Sequence, residues 1–311
     1  MSSQLKVVRS IGELRAIVGQ WRQSGQRIAL VPTMGALHAG HLGLVRRASE
    51  LAERTVVSIF VNPSQFAPHE DLARYPRDEA GDLGKLAGER CDLVWAPTVA
   101  DMYPEGFATR IVPAGAAQGL EADFRPHFFG GVATVCAKLF GAATPDVAVF
   151  GEKDYQQLCV VKQMVRDLDM PLAIVGVETA READGLALSS RNVYLSNEER
   201  KIAPALNRVL RDAGAKALAV LDGAARPGKA PRATPLVEDP ILPPEELPQL
   251  TAICSAAAKQ LLDAGFGKVD YVAVREAETL KVVTQAGGAP LRVLGAAWLG
   301  TTRLIDNVVG A

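Results

Sequence analysis

The stretch "VPTMGALHAGHLGLV", residues 31–45, holds two of the chain's four histidines, His38 and His41, where an apolar run gives way to a helical pattern. Gly35 and Gly40 let the chain turn sharply after that run. His41 then falls at the start of the helix and His38 one turn before it, so both rings can face one point. A helix N-terminus offers unpaired N–H groups and the positive end of the helix dipole, and imidazoles that donate hydrogen bonds add to its preference for an anion. The pattern predicts a phosphate site whose charge grows during reaction. Two readings compete with it: surface histidines that are neighbours by accident, and a metal pair at i, i+3. The metal pair lacks carboxylate or cysteine partners at ligand spacing.

Three further stretches carry candidate chemistry. In "FGEKDYQQL" Lys153 and Gln157 are spaced i, i+4 and Asp154 sits near a helix N-cap. In "READGLALSSRN" Gly185, Ser189 and Ser190 precede Arg191, a loop of donors suited to wrapping a phosphate. In "VNPSQF" Asn62 and Gln65 could orient a polar substrate, or form an Asx turn before Pro63. Each has an ordinary reading when taken alone: a solvated lysine, a polar linker, a turn.

These residues need a scaffold to bring them together. From Arg27 to Thr179 short β-branched runs alternate with amphipathic stretches, from "RIALVPT" and "GHLGLVRRASELAER" to "YQQLCVVKQMVRDLD" and "PLAIVGVET". Nearly all-apolar strands separated by helices predict an α/β fold of Rossmann-like type: a parallel sheet covered on both faces, with ligands at the strands' carboxyl ends. The runs that end in "PTMG", "VNPSQF" and "FGEKD" each place polar side chains there. The expected first domain is 1–179, followed by a smaller C-terminal α+β lid domain, 180–311. That second part holds a helix with a Ser196/Glu199 capping box, a Pro- and Ala-rich insertion at 223–247, and strand-like runs near the end.

Composition narrows the function. The chain has 311 residues, 48% of them hydrophobic, with 34 Lys plus Arg against 35 Asp plus Glu. No basic run is present that could track a phosphate backbone, so nucleic acid is not the expected partner. No uncharged apolar run approaches the ~20 residues of a membrane span, and the start reads as mature cytoplasmic sequence. Cys91, Cys136, Cys159 and Cys254 show no zinc or redox spacing and are expected to be buried and reduced.

Taken in order, "VPTMGALHAGHL", "IFVNPSQF", "YPRD", "FGEKDYQQL", "READGLALSSRNVYLS", "DYVAV" and "LGTTRLIDN" resemble the pantothenate synthetases, or pantoate–β-alanine ligases, over almost the whole chain apart from 223–247. The wider HxGH nucleotidylyltransferases and class I aminoacyl-tRNA synthetases share only the first motif and a mobile phosphate loop. The resemblance implies ATP-dependent condensation of pantoate with β-alanine through a pantoyl adenylate, with Mg²⁺, in a cytoplasmic homodimer. It implies that His38, His41, Lys153, Ser189, Ser190 and Arg191 hold the phosphates, with Asn62 close to them. Gly151 and Asp154 would hold the ribose and the backbone at Ala180 the adenine. Met34, Gln65 and Gln157 would line the pantoate pocket, Met34 also meeting ATP, and Asp82 would belong to the Mg²⁺ environment. One departure stands out: the family pattern RPGHFxGV reads "RPHFFGGV" here, so Phe128 stands where histidine is usual and His127 is the nearest imidazole. The readings set against this one are an adenylyltransferase that uses no amine acceptor, a tRNA ligase with a basic surface, and a non-catalytic nucleotide sensor.

Overall fold

The computed structural model describes residues 5–67, 70–224, 246–286 and 289–310; the insertion read at 223–247 lies almost wholly outside them. By its internal contacts the chain forms two compact units, residues 1–183 with 187–193, and residues 184–186 with 194–311.

The first unit runs β1 (Lys6–Val8), α1 (Ile11–Gln23), β2 (Ile28–Thr33), α2 (Ala39–Leu51), β3 (Arg54–Ile59), α3 (Glu79–Ala87), β4 (Leu93–Trp95), α4 (Val99–Met102), α5 (Glu121–Phe124), α6 (Phe128–Ala143), β5 (Val147–Gly151), α7 (Tyr155–Asp167) and β6 (Ala173–Val177). Its six strands form one sheet in the order β1-β4-β3-β2-β5-β6, every pair parallel. The α/β reading thus holds. The central strands are buried on both faces: Ala29, Val31 and Val57 pack under Leu44, Val45 and Ala48 of α2, while Ile28, Leu30 and Val56 are equally buried on the other side. Each such valine, leucine or isoleucine side chain contributes about 1.5–3 kcal/mol by leaving water. Because β3, β2 and β5 are neighbours, their carboxyl ends bring three of the sequence's polar loops to one edge of the sheet.

The sequence-based boundary at 179 differs from the observed division. An antiparallel bridge pairs Arg181 with Ala187, the Leu188 amide donates to the Ala180 carbonyl at 2.9 Å, and Ser190 Oγ donates to the Ala36 carbonyl at 3.1 Å. These contacts keep 187–193, and with it Ser189 to Arg191, in the first unit.

The second unit contains α8 (Asn197–Ile202), α9 (Ala205–Ala224), α10 (Pro248–Asp263), β7 (Lys268–Glu276), β8 (Leu291–Leu299) and β9 (Thr302–Val309). Helix α8 starts at the Ser196/Glu199 capping box. The strands form an antiparallel sheet β7-β8-β9. Leu206 and Leu210 of α9 and Leu250 and Leu261 of α10 share a core with Val293 and Leu299 of the sheet. Among the described residues no helix is long and apolar enough to cross a membrane. All four cysteines are free, and burial pushes the Cys91 and Cys136 thiols up to about 12, which removes the thiolate needed for nucleophilic or redox chemistry.

Candidate active site

Strand β2 ends at Thr33, and the chain then passes Met34 into a turn in which Gly35 (φ +81°) and Ala36 (φ +51°) are both left-handed. The left-handed region costs an alanine roughly 1–2 kcal/mol. Asp82 of α3 stabilises the turn from below: its carboxylate, 1% exposed, accepts from the Ala36 amide at 2.8 Å and the Leu37 amide at 2.7 Å. Lys85, one turn along α3, donates to the Leu37 carbonyl at 2.7 Å. Both Asp82 oxygens are thus committed to the loop that aims His38. Its two amide hydrogen bonds give Asp82 a role in shaping this loop.

His38 is the N-cap of α2 and His41 its third residue, with ring centroids 4.0 Å apart. A Cβ on Gly40 would lie 3.0 Å from Nδ1 and Cε1 of His38 and 3.4 Å from the Ala180 Cβ, so a glycine is what lets the His38 ring and Ala180 close over the helix start. The His38 amide donates to His41 Nδ1 at 3.2 Å. An Nδ1 that accepts is unprotonated, which leaves the proton of a neutral His41 on Nε2 as a donor.

Both rings are neutral at pH 7. Burial lowers the His38 value to about 4, with the Lys153 ammonium adding to it, and burial lowers His41 to about 3, with His38 and Lys153 adding. Lys153 itself follows Gly151 at the end of β5, in a single 3-10 turn, Glu152–Asp154, that leads into α7. Its charge acts on both imidazoles, so the structure brings the first two sequence motifs to one place. Asp154 is the N-cap of α7, with its carboxylate 3.9 Å from Lys153 Nζ. Lys153 lies in the turn and Gln157 in the helix, so the two do not share a helical face as the i, i+4 spacing suggested.

The adjacent glutamines of "YQQL" have different fates. Gln156 is buried, donates to the carbonyls of Ala116 and Gly119 at 3.0 and 3.1 Å and accepts from the Glu121 amide at 3.0 Å, which is a structural use. The Gln157 side chain is half-buried and makes no hydrogen bond among the described residues.

At the end of β3, Asn62 caps a 3-10 turn, Pro63–Gln65. Asn62 is 1% exposed and every polar atom of its carboxamide is engaged within the protein. These partners give the Asn62 side chain a structural use at the start of the turn. Gln65 is buried beside it.

Sequence reasoning missed the cluster that backs this turn. Arg125 donates to the Gln65 carbonyl at 2.9 Å, to Glu121 at 3.1 Å and, through two nitrogens, to Glu70 at 2.8 and 2.6 Å. Burial works against the Glu70 charge, but Arg125 outweighs it and holds the carboxyl below its usual range. Phe128 stacks under the Arg125 guanidinium at 4.0 Å, a cation–π contact. The departing "RPHFF" therefore has a physical use: the ring packs on the arginine, while His127 Nε2 lies 3.9 Å from Glu70 and has no hydrogen-bond partner among the described residues. The available signal was an arginine, Arg125, three residues before the apolar helix α6 and next to Phe128 and Phe129.

A doubly covered parallel sheet, with two neutral imidazoles at a helix N-terminus and a lysine charge beside them, defines an α/β enzyme that handles phosphates. A pantoate–β-alanine ligase family profile matches residues 6–309. The chain belongs to this family, whose activity is the ligation of pantoate to β-alanine. It is 54% identical to a pantothenate synthetase of Mesorhizobium japonicum over 98% of each chain, and 51% identical to one of Caulobacter vibrioides over 97% of each. The crystal structure of pantothenate synthetase from Thermus thermophilus superposes with a TM-score of 0.82 at 42% identity, covering 98% of this chain and 99% of that one. A pantoate–β-alanine ligase from Francisella tularensis, solved with a β,γ-ATP ligand and β-alanine, superposes at 0.75 with 30% identity over 98% of each chain.

Proposed function

We propose that this enzyme makes pantothenate in two steps on one site. A carboxylate oxygen of pantoate attacks the α-phosphate of ATP, forming pantoyl adenylate and releasing diphosphate. The β-alanine amine then attacks the acyl carbon, the acyl–phosphate bond breaks, and AMP leaves. Carboxylate is a poor acyl donor until its oxygen sits on a good leaving group, and the first step needs alignment and charge neutralisation more than a protein nucleophile.

The observation that carries this reading is the pair of neutral imidazoles at the start of α2 with the Lys153 charge beside them. A neutral His41 donating from Nε2 and the Lys153 ammonium stabilise charge that grows on the departing diphosphate. His38, Ser189, Ser190 and Arg191 complete the phosphate site. Gly151 and Asp154 take the ribose, the backbone at Ala180 takes the adenine, and Met34, Gln65 and Gln157 line the hydroxy-acid pocket. Mg²⁺ enters with ATP, held mainly through the ATP phosphates. A homodimer in the cytoplasm completes the reading.

The test is exchange of labelled diphosphate into ATP with pantoate present and β-alanine omitted. Exchange that depends on pantoate alone is the expected result. Its absence in protein that still makes pantothenate would overturn the adenylate step.

A further inference from the structure

The Asn62 carboxamide is oriented by backbone groups at both ends. Its Oδ1 faces the Ser64 amide at 3.3 Å, which can only donate, and its Nδ2 faces the Gly131 carbonyl at 3.3 Å, which can only accept. Two hydroxyls reinforce the acceptor end: Tyr103 donates to Oδ1 at 2.8 Å and Ser64 Oγ at 2.9 Å. Nδ2 then has one proton left, and it goes to Gln65 Oε1 at 2.9 Å. With Oε1 turned towards Asn62, Gln65 presents Nε2 on its other side, and Nε2 has no partner among the described residues. Asn62 and Gln65 are 1% and 7% exposed, so water cannot substitute cheaply for a misplaced partner.

We propose that Tyr103 and Asn62 are positioning residues that lock Gln65 with its N–H₂ group forward, so that the hydroxy-acid pocket presents a fixed donor and selects a substrate with an oxygen acceptor at that point. The inference rests on Gln65 lining the pantoate pocket. A glutamine free to turn over would offer donor or acceptor equally, whereas a locked one leaves a buried donor unpaired when the wrong ligand binds, and that is how polar pockets discriminate.

Steady-state kinetics on Gln65→Ala, Tyr103→Phe, Asn62→Asp and the pairwise combinations with Gln65→Ala test it. Asn62→Asp keeps the acceptor at Oδ1 but replaces the donor that faces Gln65, so Gln65 must turn its nitrogen inward. The expected result is a pantoate KM raised about 100-fold in Asn62→Asp and about 5-fold in Tyr103→Phe, the size of a misplaced and a loosened hydrogen bond respectively, with the KM for ATP changed less than about 2-fold. In the Gln65→Ala background neither substitution should raise the pantoate KM further, because the side chain they act through is gone. If Gln65→Ala alone leaves the pantoate KM unchanged, the pocket assignment fails. If it raises the KM but the other two act equally with or without Gln65, the pocket stands and the lock is overturned. Tyr103→Phe leaves no orphaned polar atom on Asn62, so it keeps the test open should Asn62→Asp fail to fold.

Discussion

On the proposed mechanism, Lys153→Ala and His41→Ala each lower kcat by about 10²-fold or more while the far-UV circular dichroism stays that of the parent, because each removes a group proposed to stabilise charge that develops in the transition state. Neither side chain belongs to the apolar core, so folding loses little with it. The pH dependence sharpens the expectation. The folded values of about 4 for His38 and about 3 for His41 lie below the free imidazole value, so protonation opposes the folded state. The stability these rings contribute is therefore fully present above about pH 6.5 and is lost as the pH falls through 4 and then 3. Within the stable range both act as neutral donors, and kcat/KM should show no limb near the free imidazole value that His41→Ala abolishes. Lys153→Ala removes a charge that disfavours protonation of both rings, so their titration followed by NMR should move upward. A variant with near-normal turnover at saturating ATP and pantoate would remove that residue from the assignment.

Gly131→Ala is the substitution expected to damage the fold most. Helix α6 approaches the Asn62 turn so closely that a Cβ at 131 would stand 2.4 Å from the Ser64 carbonyl oxygen and 2.7 Å from its carbon. The obstacle is backbone, which cannot rotate away as a side chain could. Overpacking typically costs about 1–3 kcal/mol, and a backbone obstacle puts this site at about 3 kcal/mol, a fall in the thermal midpoint of roughly 6–12 °C. The same displacement pulls the Gly131 carbonyl off Asn62 and disturbs Gln65, so the pantoate KM should rise with the loss of stability. Gly130→Ala is the control: its Cβ would meet only the Ile111 carbonyl, at an ordinary 3.6 Å, and the variant should keep both its midpoint and its KM. Equal behaviour of the two, measured by thermal unfolding and pantoate titration, would contradict the close-approach argument.

How far the sequence reaches is set by distance along the chain. Apolar runs alternating with helical stretches from 27 to 179 determine a parallel, doubly covered sheet, because only that arrangement buries strands with no polar face. The three-residue spacing of His38 and His41 determines that the rings meet at a helix start, and the Ser196/Glu199 spacing determines where α8 begins. These are local facts, settled within one or two helical turns. The tertiary structure decided the rest. Strand β1, three residues long, exists by pairing with β4, whose partner positions lie far along the chain, and so short a run carries no period to announce it. Asp82 lies 45 residues beyond the loop it clamps. Asn62 is oriented by groups up to 69 residues distant, and the two glutamines of "YQQL" are separated only by what α7 packs against. Such hydrogen bonds are chosen by which surfaces come together after the sheet forms. Spacing can nominate the polar residue, but burial and its partners decide whether it meets the substrate or holds the residue that does.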